Sequence, residues 1–289
     1  MTSRHEPNDP DASGETLTGC TDNLTDKSKA GSALLASTIE GEIIPRLMMT
    51  FSVMPSPLAP EQEHDPSGLL AQNEEMVRDL IQLLLTHDAA VSVEYMNALR
   101  AKGATLRDLY LDLLAPAARE LGEMWNEDIA NFTEVTIATS RLHQILLQFS
   151  PLFCANAPDQ TSNGRTAAIF ALPGETHTFG IFMVVEFFRR AGWNVYSGSL
   201  GNDGEASQLL STHDIDVLGI SVSAERHLPD LSERIATLRA ASRNQDICVL
   251  CGGQMFAHNP SLARKLGADG FATDGQQAVD LAESLISEQ

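Results

Sequence analysis

The sequence predicts an α/β protein in which a four-helix bundle precedes a domain built on a five-stranded parallel sheet. Two observations carry that prediction. Between about residues 73 and 150, apolar side chains recur at helical spacing in four separate stripes. From residue 165 onward, short apolar strands alternate with helices five times, the pattern of a parallel sheet covered on both faces. Pro151, Pro158 and the polar stretch 159–164 mark the linker where one pattern gives way to the other.

Residues 1–30 are rich in Asp, Glu, Ser, Thr, Gly, Asn and Pro, a composition that predicts disorder. Leu35, Ile39, Ile43, Leu47 and Phe51 then fall four apart, giving a short helix near 32–51 that Pro45 kinks or ends. Pro55, Pro57 and Pro60 follow as a linker. Residues 1–72 therefore read as a largely disordered extension whose helix is either a docking element or a piece packed on the core. The bundle is expected over 73–151. Its stripes are Met76, Leu80, Leu83 and Leu84; Val91, Tyr95 and Leu99, stopped by Gly103; and Leu106, Leu109, Leu113, Ala117 and Leu121. The fourth opens near Thr133 and runs through Ile137, Leu142 and Leu146. Short connections make the bundle antiparallel. The sheet domain is expected over 163–289, with strands at 166–172, 194–199, 216–222, 247–251 and 270–273. Helices are expected at 180–191, 203–211, 228–241, 259–266 and 275–287, which makes the domain flavodoxin-like (Rossmann-like) and doubly wound.

The formal net charge is −20, from 39 acidic against 19 basic side chains. Such a surface repels nucleic acid and anionic lipid, so direct DNA binding is not expected, though a basic DNA-binding partner suits it. Four cysteines are too few for a disulfide framework. Cys248 and Cys251 lie three apart on a strand and face opposite sides, so they do not share a metal. No segment reads as a membrane span or an apolar leader, and a cytoplasmic protein is expected.

Three loops at the carboxyl ends of strands stand out. Gly174-Glu-Thr-His-Thr-Phe-Gly180 follows the first strand, Ser221-Val-Ser223 the third and Gly252-Gly253 the fourth. Ligands of open α/β sheets sit at that edge. His177 is placed to meet one, Glu175 to orient its imidazole, and Gly180 to let a large planar group approach the backbone.

In this order and spacing the three loops resemble the cobalamin-binding domain family, whose pattern is Asp-x-His-x-x-Gly, then Ser-x-Leu, then Gly-Gly. The resemblance spans about residues 75–289, because Leu113–Trp125 is similar to the family's bundle segment, which ends in a tryptophan over the corrin. It implies that His177 is the lower axial ligand of cobalt and that Glu175 fixes its tautomer. It implies hydroxyls from Ser221 and Ser223 toward the cofactor's tail, and a slot kept open by Gly252 and Gly253. Thr176, Thr178, Phe179, Gly180, Thr273, Trp125 and Glu134 are the further expected contacts. The chain departs from the pattern with Glu175 for Asp and Ser223 for Leu. It also has Val135 where the light-sensing branch has a histidine after its glutamate, and His143, two helical turns on, is the candidate upper ligand. His227 and His258 lie on the same side and are assigned no role.

The Glu variant of the loop, with Ile39-Glu-Gly-Glu-Ile-Ile-Pro-Arg46, is similar to the AerR/PpaA group of antirepressors of photosynthesis genes. That resemblance implies a photoreceptor-like regulator, not an enzyme. It would carry adenosyl-, methyl- or hydroxocobalamin and bind a repressor of the CrtJ/PpsR type. The alternatives are a corrinoid carrier for a separate methyltransferase and a haem-binding redox sensor.

Overall fold

The computed structural model describes residues 73–155, 162–175, 177–199, 203–257, 259 and 261–287. The expected helix near 32–51, Cys20, Thr176 and His258 lie outside the described residues.

Four helical stretches come first: α1 (Asn73–Thr86), α2 (Ala89–Ala101), α3 and α4 (Phe132–Ala155). α3 joins Leu106–Asp108, a π-helical run Leu109–Leu114, and Ala115–Asn126. Leu106, Leu109, Leu113, Ala117 and Leu121 are all buried, as their spacing predicts. A strict four-residue repeat drifts by about 40° per step on an α-helix, and the slower winding of the π run absorbs part of that drift. Two other stripes are corrected. Val91 and Ile137 are exposed, while Val93, Met96 and Leu99 face the core from α2, and Ala138, Leu142, Ile145 and Phe149 from α4. Ile137 precedes Leu142 by five residues, about 140° round the helix, so the two cannot share a face.

The sheet runs β2-β1-β3-β4-β5, all parallel, with β1 (Thr166–Ala171), β2 (Asn194–Ser199), β3 (Val217–Ser221), β4 (Cys248–Gly252) and β5 (Gly270–Phe271). This is the flavodoxin-like order, whose direction reverses between β1 and β3. α5 (Phe179–Arg190) and α10 (Gly275–Ser287) pack on one face. α6 (Asp203–Thr212), α7 (Leu228–Ala241), α8 (Gln254–Ala257) and α9 (Ser261–Lys265) lie on the other side of the domain. The helix expected at 259–266 is α9, and α8 before it is an additional short helix that the turn after Gly253, with no apolar period, does not reveal in the sequence.

The bundle packs on α5 through α3 and α4, and one apolar core runs through both. Tyr110 stacks on Phe153 at 4.4 Å, and Phe153 meets Phe187 edge-on at 5.0 Å. Cys248 belongs to this core and Cys251 to the one on the opposite face, as strand alternation requires.

Candidate functional site

β1 ends in a tight turn. The Glu175 N–H donates to Leu172 O at 3.0 Å, with Pro173 and Gly174 between them and Gly174 at a φ of +80°. Proline second and a glycine of positive φ third are the residues a type II turn requires. The turn sends the Glu175 side chain inward, where it is fully buried, while the His177 side chain is 54% exposed.

Glu175 is the hub of the site. Its Oε1 accepts from His177 Nδ1 at 2.9 Å and from the His177 N–H at 3.1 Å. Its Oε2 accepts from the Ser223 N–H at 2.8 Å. Burial pushes this carboxyl up, but the bonds from the His177 ring, the Ser223 N–H and the His177 N–H outweigh it and hold the group at about 2. An ionised carboxylate on Nδ1 fixes the neutral imidazole with its lone pair on Nε2, the form that ligates a metal.

The loop after β3 meets the first loop at the switch point. Ser221 is in register with Ala171 of β1 and Gly252 of β4. The Val222 N–H donates to Gly252 O at 2.9 Å, and Arg226 Nη2 donates to Gly174 O at 2.8 Å. Gly252 and Gly253 are glycines for different reasons. A Cβ on Gly252 would meet Ala272 O at 3.8 Å, an ordinary contact, so that position has room for no more than a small side chain without touching the end of β5. Gly253 has a φ of +100°, and a Cβ there would run into the Val222 carbonyl. Gly180 has nothing within 4 Å of where a side chain would start. Thr178 precedes α5 as its cap without a side-chain bond. Thr273 follows β5, with its N–H and hydroxyl donating to Gln277 Oε1 at 2.6 and 2.9 Å.

The bundle residues divide. Trp125 is 38% exposed beside Phe132, at the turn where Asp128 takes a φ of +56°. Glu134 closes a capping box with Asn131 at the start of α4: each side chain accepts from the other's N–H, at 2.9 and 3.0 Å. His143 is buried. Its Nδ1 donates to Thr139 O at 2.9 Å, its Nε2 has no partner, and its ring meets Phe179 and Phe182 edge-on at 5.1 and 5.0 Å. Desolvation lowers it to about 4, so it is neutral. The structure thus joins Glu175, His177 and Ser223 in one network and places His143 against Phe179 on the bundle side. Sequence reasoning missed Arg226, because an exposed loop arginine carries no periodic signal.

Residues 76–148 match one family model and residues 165–282 another, each described as a B12 binding domain. The chain belongs to the B12-binding family. Its cofactor is cobalamin. A Rhodobacter capsulatus relative, an uncharacterized 20.5 kDa protein in the bchF-crtJ intergenic region, is 27% identical over 175 residues, 61% of this chain and 90% of that one. The Methanosarcina barkeri monomethylamine corrinoid protein shares the fold with a TM-score of 0.62 at 15% identity, over 74% of this chain and 99% of that one.

The residues present suit a corrinoid. A carboxylate-oriented imidazole, a Gly180 with open space beside it and the side-chain-free Gly252 lie at the switch point. Among the described residues no group of three or more His, Cys, Asp or Glu is placed to hold a metal ion, so a cofactor that brings its own metal ligands is what a single histidine suits. Nor is any described helix long and apolar enough to cross a membrane.

Proposed function

We propose that this chain is a cobalamin-dependent regulator, an antirepressor that binds a repressor of the CrtJ/PpsR type and responds to light or redox state without turning over a substrate. The observation that carries the cofactor role is the Glu175–His177 pair tied to Ser223 at the switch point. His177 Nε2 is the lower axial ligand, and Glu175 holds the ring. Ser221, Ser223 and the side-chain-free Gly252 receive the nucleotide tail, with Gly253 shaping the turn beside it. Thr178, Phe179 and Gly180 form the floor, Thr273 one side, and Trp125 with Glu134 the bundle side. The bundle (73–151) acts as a cap on the binding domain (163–289). Bound alkylcobalamin supplies a light-labile upper position. His143 serves as an upper ligand only in a form where Phe179 and Phe182 have moved off its ring.

The regulatory half of the reading is supported by the relative whose name places it between bchF and crtJ. The second reading, a corrinoid carrier for a methyltransferase, is supported by the fold shared with the monomethylamine corrinoid protein. Visible spectra of the protein loaded with alkylcobalamin, for wild type and His177→Ala, test the ligand: a shifted spectrum is expected in the variant. Repressor binding in the dark and after illumination tests the switch. Equal affinity in both would sink the light response, and methyl transfer to a partner enzyme would establish the carrier instead.

A further inference from the structure

The turn that carries His177 is held from outside its own loop. Two bonds reach it from the segment between β3 and α7. The Ser223 N–H donates to Glu175 Oε2 and the Arg226 guanidinium to Gly174 O, both at 2.8 Å. His227 backs the same turn, its Cε1 lying 4.0 Å from where a Cβ on Gly174 would be. Gly174 is exposed and at positive φ, so its own side contributes no packing to fix the turn. Glu175 then passes that placement to His177 through Oε1.

We infer that Arg226 is a positioning residue for His177: it clamps the Pro173-Gly174 turn so that the imidazole is presented at one height above the sheet edge. This rests on the reading of His177 as the axial ligand. The segment that supplies the clamp also carries Ser221 and Ser223, so the placement of the ligand and the shape of the tail slot are set by one loop. Without the guanidinium the turn loses its bond from Arg226 and keeps the Glu175 contacts and the packing of His227. The ring then samples positions from which Nε2 does not reach the metal. Arg226 is exposed, so its removal leaves both apolar cores untouched.

The test uses the full chain and cobinamide, the corrinoid that lacks the nucleotide base. Any axial nitrogen then comes from the protein. Electron paramagnetic resonance of the bound cobalt(II) form reads that nitrogen as superhyperfine splitting, and equilibrium dialysis reads affinity. Wild type should show full splitting and His177→Ala none. Arg226→Ala should bind about 3- to 10-fold more weakly, the range of one ordinary net hydrogen bond at an exposed site, with a fraction of unsplit signal. Arg226→Lys, which keeps one donor, should fall between, and all variants should melt with wild type. Full splitting at wild-type affinity in Arg226→Ala would overturn the clamp and leave the ligand assignment standing. Splitting that survives in His177→Ala would overturn the assignment and the clamp with it.

Discussion

A glutamate where the family usually has aspartate changes what the loop can grip. One carboxylate holds the His177 ring with Oε1 and the Ser223 N–H with Oε2. Glu175→Gln keeps the shape but loses the charge, and metal-site partners of this kind are worth about 10- to 100-fold in affinity. The expected loss of cobalamin affinity is of that size, read by titration; wild-type affinity would mean that the carboxylate does not orient the ligand. Gly180→Ala separates binding from folding. The added methyl meets nothing within 4 Å, and alanine in an exposed helix position gains about 0.5–1 kcal/mol over glycine. The melting temperature should hold or rise while cobalamin binding weakens. His143 sets the pH response. Its folded pKa of about 4 lies below the ordinary 6.5, so stability is full above 6.5 and is lost as pH falls toward 4, by on the order of 3 kcal/mol. His143→Met removes that loss and also the unpartnered Nε2, so denaturant midpoints at pH 7 should be unchanged or higher, with a shallower profile down to pH 5 that keeps the smaller contribution of His227, also held below its ordinary value by burial. A steep loss in the variant over the same range would assign the effect to another group. At this scale the Glu-x-His spacing was legible because it is local, whereas the Pro173-Gly174 turn, equally local, was not singled out. The Glu175–Ser223 bond was not, because it joins residues 48 apart.

Elements were legible where their apolar period agreed with their burial. β1, β2 and α7 fall within a residue of expectation, because continuous apolar runs and flanking turns define them. α2 and α4 were found but their faces were misjudged, since the four-residue spacing in α2 drifts off the true helical stripe and the five-residue step from Ile137 to Leu142 in α4 leaves it outright. The close approach of α10 to α5 was invisible for a different reason: it depends on a missing atom. Gly275 is buried at the start of α10, and a Cβ there would sit 2.5 Å from Phe187 Cδ2. Phe187 is itself locked against Phe153 and cannot give way without disturbing the bundle contact. Gly275→Ala should therefore cost about 1–3 kcal/mol by chemical denaturation, the usual penalty of overpacking. A neutral result would mean that α10 slides outward at little cost.

At the scale of the whole molecule, the question is how far the bundle can move. Tyr110 and Phe153 on the bundle side and Phe179, Phe182 and Phe187 on α5 share one core with His143 between the two. Burying a large apolar side chain is worth about 1.5–3 kcal/mol, so separating five such rings would cost roughly 10 kcal/mol. The Arg190 guanidinium adds a bond to Phe153 O at 2.8 Å and stacks over the same ring, pinning the end of α4 to the end of α5. Under the proposed light response, a change at the cofactor would therefore act on something softer than the whole interface. The turn between α3 and α4 fits: Ile129 is 63% exposed, Asp128 holds a left-handed φ, and Trp125 is only half covered. Hydrogen exchange on the cobalamin-loaded chain, before and after illumination, should show changes in residues 126–134 and in the loops after β1 and β3. The amides of α4 and α5 should stay protected. Loss of protection along α4 on illumination would mean that the bundle leaves the sheet and that the shared core is weaker than its aromatic contacts imply.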